Sequence, residues 1–511
     1  TVKQSGISRS GGFGISIGSR TTRDSFDLAQ GHHSASTIGS INRDLGIFAP
    51  EGDIDVIGSH LIAGRDLSVI GRNVNFDALY DSVHHQESHE VKQSGLSLAF
   101  KSAITDTVQA MYGDFKNARQ APSGRLATLH GVRAGLAASV GWDGISHEVT
   151  ALRDGTTPAS VGIQLSISSS KNKRDSDAQA RNAQGSSALA AGHVALAATG
   201  AQDADGQHIA GSGNVILAGA EISGTTVLLD AANDLILRSV RNTVEQTSSN
   251  SNSGWSLGVG ITVGQQTGIT FSASGYKGSG HANGDSMEHV NTHIRANQDL
   301  TLVSGHDLFL QGALAHGQRI MANVGRDLTI TSLQDTVHFH SEQKQVSGGA
   351  SFTYGTGGGS ASFSMNTSQA HQDHASVGEQ SGLFAGSGGF DLQVGGHTQL
   401  DGGAIASRAP EQDNRLSTDS FGYSNLRNHT EASAKASGVS MGSEVIANPI
   451  YGAGKSALGA LLANANDRSS DSSTTSAVVS LGAIEIRNGE IFTLEGLLRD
   501  ADSAHRPLDA S

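Results

Sequence analysis

The chain has 511 residues, of which 66 are glycine, six are proline and none is cysteine, while charged residues make up 16% and aromatics 5%. Glycine at about 13% is nearly twice its usual share, and so few large side chains exclude a set of compact globular cores in favour of a thin, extended one. A formal charge of -14, from 34 Lys and Arg against 48 Asp and Glu, disfavours electrostatic binding to nucleic acid or to an acidic membrane surface. Zero cysteine removes disulfide frameworks, Cys-bearing zinc sites and thiol nucleophiles together. No apolar run of about 18 residues predicts a transmembrane helix. The opening residues lack the charged start and apolar stretch of a signal peptide, so the chain reads as an internal piece of a longer polypeptide.

A thin, glycine-rich chain gains a core by stacking repeats, and repeats are present. Val2-Lys3-Gln4-Ser5-Gly6 recurs as Val91-Lys92-Gln93-Ser94-Gly95, and further Ser-Gly landmarks stand at Ser253-Gly254, Ser347-Gly348 and Ser437-Gly438. The glycines are 89, 159, 94 and 90 residues apart. The long interval resolves if Val161 to Ser166 is a degenerate landmark, which leaves an insertion between 95 and 162. A second marker keeps the same period: Gly71-Arg72-Asn73-Val74, Ala232-Asn233-Asp234-Leu235 and Gly325-Arg326-Asp327-Leu328.

Within each unit an Asp or Asn precedes an aliphatic, any residue and an aliphatic, at Asp44, Asp53, Asp66, Asn73, Asn214, Asp234, Asp299, Asp307, Asp327 and Asp391. Such alternation marks a short strand with one buried face. Asp53 to Asn73, Asn214 to Asp234 and Asp307 to Asp327 are each 20 residues apart, about one rung of a β-solenoid. Stacked rungs bury the aliphatic stripe continuously, and Asp, Asn and Gly then occupy the corners.

After the landmarks the pattern becomes long alternation with Gly and Ser. Trp255, Leu257, Val259, Ile261 and Val263 share a face, a turn follows at Gln265 to Gly268, and Ile269, Phe271 and Ala273 continue it. Ala350, Phe352 and Tyr354, a turn at Gly357 to Gly359, and Ala361, Phe363 and Met365 repeat the design. These predict β-hairpins with strands of about nine residues, apolar on one face. The insertion differs: Ile104, Val108, Met111, Tyr112 and Phe115, then Leu126, Leu129, Val132 and Leu136, predict a helical hairpin. A short helix is expected over 454–462, and 466–477 reads as a linker.

Three patterns invite a chemical reading. Gly452-Ala453-Gly454-Lys455-Ser456 is similar to the end of a P-loop, but Pro449 stands where the loop needs a glycine N–H, so a helix start is the plainer expectation. His84, His85 and His89, His338 and His340, and His371 and His374 are close enough in sequence to share a metal, yet are expected to be solvated loop residues. The recurring acids allow a β-helix polysaccharide-cleaving enzyme, but acids that follow the repeat fit corners better than an active site.

The Asp-Leu-Thr-Leu and Gly-Arg-Asp-Leu-Thr-Ile strands followed by a Ser-Gly hairpin resemble the second haemagglutinin-repeat region of filamentous haemagglutinin-like exoproteins, over nearly all of residues 1–500. The helical insertion is also similar to one in that family. Thr474 to Ala477, Gly482 to Gly489 and Leu498-Arg499-Asp500 resemble the segment that closes the repeats. The resemblance implies a two-partner secretion protein of Gram-negative bacteria, secreted through an outer-membrane β-barrel partner and displayed on the cell surface. It further implies adhesion or aggregation, or carriage of a C-terminal toxin into a neighbouring bacterium, with a target-cell surface or outer membrane as partner. Absence of cysteine suits passage of an unfolded chain through a narrow pore.

The expected organisation is all-β: a β-solenoid, or parallel β-helix, with interspersed hairpins and one helical-hairpin insertion. Residues 1–99, 160–252, 253–346 and 347–442 are read as repeat units, 100–159 as the insertion, and 443–511 as a short helix, linker and closing segment before a C-terminal module. No catalytic, cofactor or metal residue is assigned. The face formed by Trp255, Leu257, Val259, Ile261, Val263, Ile269 and Phe271 is the candidate contact surface. Its strands either cover the solenoid or pair with one another in a second sheet, or they engage a target outer membrane.

Overall fold

The computed structural model describes residues 1–10, 14–101, 161–203, 205, 209–263, 268–354, 358–446, 455–488, 494, 496–503, 505 and 508. Short strands stack into a solenoid with three parallel faces of nine, nine and eight strands. Each full rung contributes one strand to each face, as His60–Ala63, Leu67–Gly71 and Val74–Asp77 do for the second rung. Rungs stack in chain order, so each strand's partners come from the rungs before and after it.

The register explains the core. On the third face Leu235, Leu308 and Leu328 align in one column, and Leu237, Leu310, Ile330 and Leu400 in the next inward column. All seven are fully buried. On the second face Leu196, Leu229 and Leu302 stack likewise. The alternation read from sequence thus becomes a continuous aliphatic spine, and aliphatics suffice because each is covered above and below by its equivalent.

The corner before the third face uses the recurrent Asp and Asn. The Asp53 carboxylate accepts from Asn73 Nδ2 at 2.9 Å and from the Arg72 guanidinium at 2.8 and 2.9 Å. Asn73 Oδ1 in turn accepts the Asn214 N–H at 3.0 Å, Asn214 Oδ1 the Asp234 N–H at 3.1 Å, and Asp234 Oδ1 the Asp307 N–H at 3.1 Å. Asp307 Oδ1 accepts the Asp327 N–H at 3.2 Å, and Asp327 Oδ1 the His397 N–H at 2.7 Å. Each side chain therefore satisfies a backbone donor that the turn leaves unpaired. Asp299 and Asp391 share the sequence motif but lie inside strands Asp299–Ser304 and Phe390–Val394.

The corner from the third face back to the first alternates between two solutions. In every other rung it is a tight turn at Gly58, Gly219, Gly312 or Gly402, whose φ angles of 50°, 59°, 67° and 58° favour glycine. In the rungs between, the same corner extends into a long hairpin. One structural repeat is therefore two rungs and one hairpin, which accounts for the period near 90 residues.

The hairpins are Val2–Ser10 with Gly14–Gly31, Leu79–Lys101 with Val161–Gln184, Val240–Val263 with Gly268–Val290, Gln334–Tyr354 with Gly358–Val377, and Leu426–Ile446 with Lys455–Thr475. They pair edge to edge into one ten-stranded antiparallel sheet. This is the second-sheet arrangement anticipated for them, but the strands differ in length from expectation. Most run 20 to 24 residues rather than nine, because charged and Ser-rich residues, invisible to a hydrophobic pattern, continue the pairing down to the solenoid.

The Ser-Gly landmarks consequently fall within strands: Ser253-Gly254 and Ser347-Gly348 lie inside Val240–Val263 and Gln334–Tyr354. The helix expected over 454–462 and the linker over 466–477 are corrected by the structure. Lys455–Thr475 is one strand, in register with Leu426–Ile446 from Ile446 opposite Lys455 to Leu426 opposite Thr475. Its Ala and Leu favour helix in isolation, and 21 residues of cross-strand pairing override that preference. The predicted helical insertion lies outside the described residues, apart from its first two positions, which end the strand Leu79–Lys101. In the closing segment Val478–Val479 adds to the first face and Ala483–Ile486 to the second.

Candidate functional site

Residues directly opposite in an antiparallel pair project to the same side, so the register assigns faces across all ten strands. Ile17, Leu96, Ile167, Leu257, Ala273 and Ala350 form one row. Leu98, Leu165, Val259, Phe271 and Phe352 form the next, and Ile261, Ile269 and Tyr354 the next again. Trp255 projects to this side with Gly275 opposite it.

The apolar side is open to solvent. Leu257 is 56% exposed, Ile261 65% and Phe271 53%. Trp255, Val259 and Ile269 are also exposed; Val263 lies on the same strand, opposite Val161. All seven residues singled out from sequence thus belong to one hairpin, and the register brings to them matching residues from the neighbouring hairpins, including Leu96, Leu165, Ile167 and Phe352. A hydropathy pattern read along one strand has no access to that lateral continuity. The side chains of Leu96, Leu165, Leu257, Val259, Phe271 and Phe352 line a shallow apolar depression.

The opposite side is small and polar. Ser256 and Ser274 hydroxyls bond at 2.7 Å, Thr270 and Thr353 at 2.9 Å, Ser347 and Ser364 at 2.6 Å, and Ser351 and Ser360 at 2.7 Å. The distal sheet is therefore two-sided, with exposed aliphatic and aromatic groups on one side and hydroxyl ladders on the other.

Toward the solenoid the apolar side changes to charge. Lys92, Lys171, Ser253 and Lys277 form a row. Glu90 lies 3.3 Å from Lys92 and 3.2 Å from Lys171, and the Lys171 and Lys92 ammonium groups hold its carboxyl below the ordinary range. Two rows beyond the next, histidines and acids replace lysines.

The other sequence candidates resolve differently. Lys455 opens a strand rather than a helix, so the helix N-terminus a P-loop requires is missing at that residue. The histidine pairs expected in loops lie on the long strands. His84 pairs with Asp177 at 3.1 Å, and Asp373 is flanked by His429 at 3.2 Å and His338 at 3.6 Å. Asp234, His306 and Asp307 lie close enough to share an ion. Their lone pairs already serve the corner ladder: Asp234 Oδ1 accepts the Asp307 N–H, and Arg326 forks onto both Asp307 oxygens. Burial pushes the Asp307 carboxyl up, but Arg326 and the Asp327 N–H outweigh it and hold it below its ordinary value.

Comparison with known proteins adds sequence kinship. Residues 165–348 match the family model described as haemagglutinin repeat. The chain is 38% identical over 518 aligned residues to a tRNA nuclease CdiA of Yersinia mollaretii, covering 99% of this chain and 17% of that protein. It is 33% identical to a Toxin CdiA of Escherichia coli, covering 99% of the chain and 16% of the relative. A deoxyribonuclease CdiA of Yersinia pseudotuberculosis is 32% identical over 98% of the chain and 46% of the relative. No solved structure matches. The chain thus spans about a sixth of the length of the first two relatives, and the region is that of a secreted, cell-surface protein of Gram-negative bacteria. Matching repeats, a stacked solenoid and similarity along nearly the whole chain thus align this segment with the haemagglutinin-repeat part of the CdiA proteins, which are filamentous haemagglutinin-like two-partner secretion proteins.

Proposed function

We propose that this segment is a non-enzymatic stalk whose hairpin sheet contacts the outer membrane of a target cell, in the service of delivering a C-terminal toxic module. The observation that carries the reading is the exposed apolar side spread across neighbouring hairpins. From Trp255 to Ile261 it spans about 20 Å of strand, close to the apolar band of outer-membrane β-structures, and the Ser and Thr side has the polarity of a barrel lumen. The lysine row at its lower border suits an interface where long cationic side chains reach lipid headgroups. Secretion would use an outer-membrane β-barrel partner, as the family does, and the solenoid would supply length. Catalysis in this segment is disfavoured because Asp53, Asp234, Asp307 and Asp327 are committed to corner hydrogen bonds.

The test places Asp at Leu257 and Val259 and measures association with phosphatidylethanolamine and phosphatidylglycerol vesicles. Both positions are exposed, so folded stability is expected to change by about 0.5–1 kcal/mol at most, while vesicle association falls. Unchanged association refutes membrane contact through this face. A collapse of stability in the double variant shows instead that these residues pack internally.

A further inference from the structure

Next to the acidic part of the same sheet, His340 lies between His371 of its own hairpin and His281 of the neighbouring hairpin. We propose that His281, His340 and His371 form a binding site for one zinc ion that clips the hairpin Val240–Val263 with Gly268–Val290 to the hairpin Gln334–Tyr354 with Gly358–Val377.

The register places them together. His340 stands directly opposite His371, and His281, opposite Glu342, is the diagonal neighbour of His340 on the same side. The His281 and His340 ring centroids are 5.8 Å apart at 49°, and those of His340 and His371 are 6.2 Å apart at 63°. Two imidazoles bound to one tetrahedral zinc at about 2.0–2.1 Å have centroids about 5 Å apart. Each of these two ring pairs needs to close by about 1 Å, and His281 and His371, on opposite sides of His340 and two strands apart, must both lean toward it to share the ion; all three side chains are exposed.

Among the described residues these three rings form no ion pair within 4.0 Å, unlike most of the other histidines. His84, His289, His293, His306, His338 and His429 each reach a carboxylate. Among the described residues, no hydrogen-bond partner engages the ring of His281, His340 or His371. Three adjacent imidazoles without acceptors are a ready donor set for a borderline divalent ion, which takes neutral imidazole nitrogen.

The surroundings favour a cation. Glu245, Asp285, His338, Asp373 and Glu431 form the neighbouring row across five strands, and Glu342 lies beside His281. Lys344, 2.7 Å from Glu342, and Arg468, 3.6 Å from Glu431, offset part of this charge. Asp285 and Asp373, both opposite His338, are diagonal neighbours of His340.

The experiment titrates the full chain, made without a polyhistidine tag, with zinc chloride at neutral pH by calorimetry. The expected result is about one micromolar site per chain, weakened at least about tenfold in His340→Ala and in His371→Ala. His306→Ala should bind as the parent does, since the corner cluster is a separate place. Backbone hydrogen exchange over 268–290 and 334–377 should slow on adding zinc to the parent and stay unchanged in His340→Ala. Absence of saturable binding, affinity unaffected by His340→Ala, or loss of the site in His306→Ala would each overturn the assignment.

Discussion

Leu228 and Leu229 are neighbours on one strand of the second face, and the fold gives them opposite fates. Leu229 is fully buried between Leu196 and Leu302 in the stacked column, whereas Leu228 is 36% exposed. Truncating Leu229 to Ala removes about three methylene equivalents, worth about 2 kcal/mol of transfer free energy. Equivalent side chains above and below prevent the site from closing, so a cavity of roughly 50–100 Å³ adds about 1–2 kcal/mol. The expected cost is about 3–4 kcal/mol for Leu229→Ala and below about 1 kcal/mol for Leu228→Ala. Urea denaturation followed by far-UV circular dichroism reads the difference. Because rungs interact chiefly with their neighbours, hydrogen exchange of rungs 187–238 should report the same ranking locally. Equal costs for the two variants, or a larger one at Leu228, would refute the inward column and with it the stacked register.

Three further outcomes follow from the corners and the hairpins. Asp307 has a lowered folded-state pKa, so its contribution to stability is present above the unfolded value of about 4 and is lost as pH falls through the lower folded value. Asp307→Asn should therefore destabilise at pH about 7, and the gap from the parent should narrow below pH about 4 in parallel denaturation series; a pH-independent gap contradicts the ion-pair account. A Cβ on Gly325 would lie 2.1 Å from the Gly305 carbonyl oxygen, so Gly325→Ala should force adjacent rungs apart and lower the denaturation midpoint, and a neutral result means the corners do not approach so closely. Lys455→Ala should leave nucleotide binding at the background level of the parent, as measured with a fluorescent ATP analogue, because a strand start offers no cradle for phosphate.

Much of the solenoid is legible in the residues themselves. Alternation around Leu235 and Leu237 or Leu328 and Ile330 states which side chains turn inward, and a 20-residue spacing of Asp53 and Asn73 states how far one circuit runs, because both are local consequences of strand geometry. The hairpin face from Trp255 to Phe271 is equally visible along one strand. Hidden were the lower halves of the hairpins, where Ser, His and charged residues pair without a hydrophobic pattern, and the strand Lys455–Thr475, whose Ala and Leu content points to helix until a 21-residue partner is beside it. Sequence alone determined strand polarity, rung length and the kind of residue at each corner. Only the tertiary structure decided that five hairpins share one sheet, that Leu96, Leu165 and Phe352 extend the Trp255 face, and that His281 meets His340. Those neighbours are separated by 59 or more residues, and lateral register, unlike the alternation within a strand, is fixed by the stacking of whole rungs beneath it.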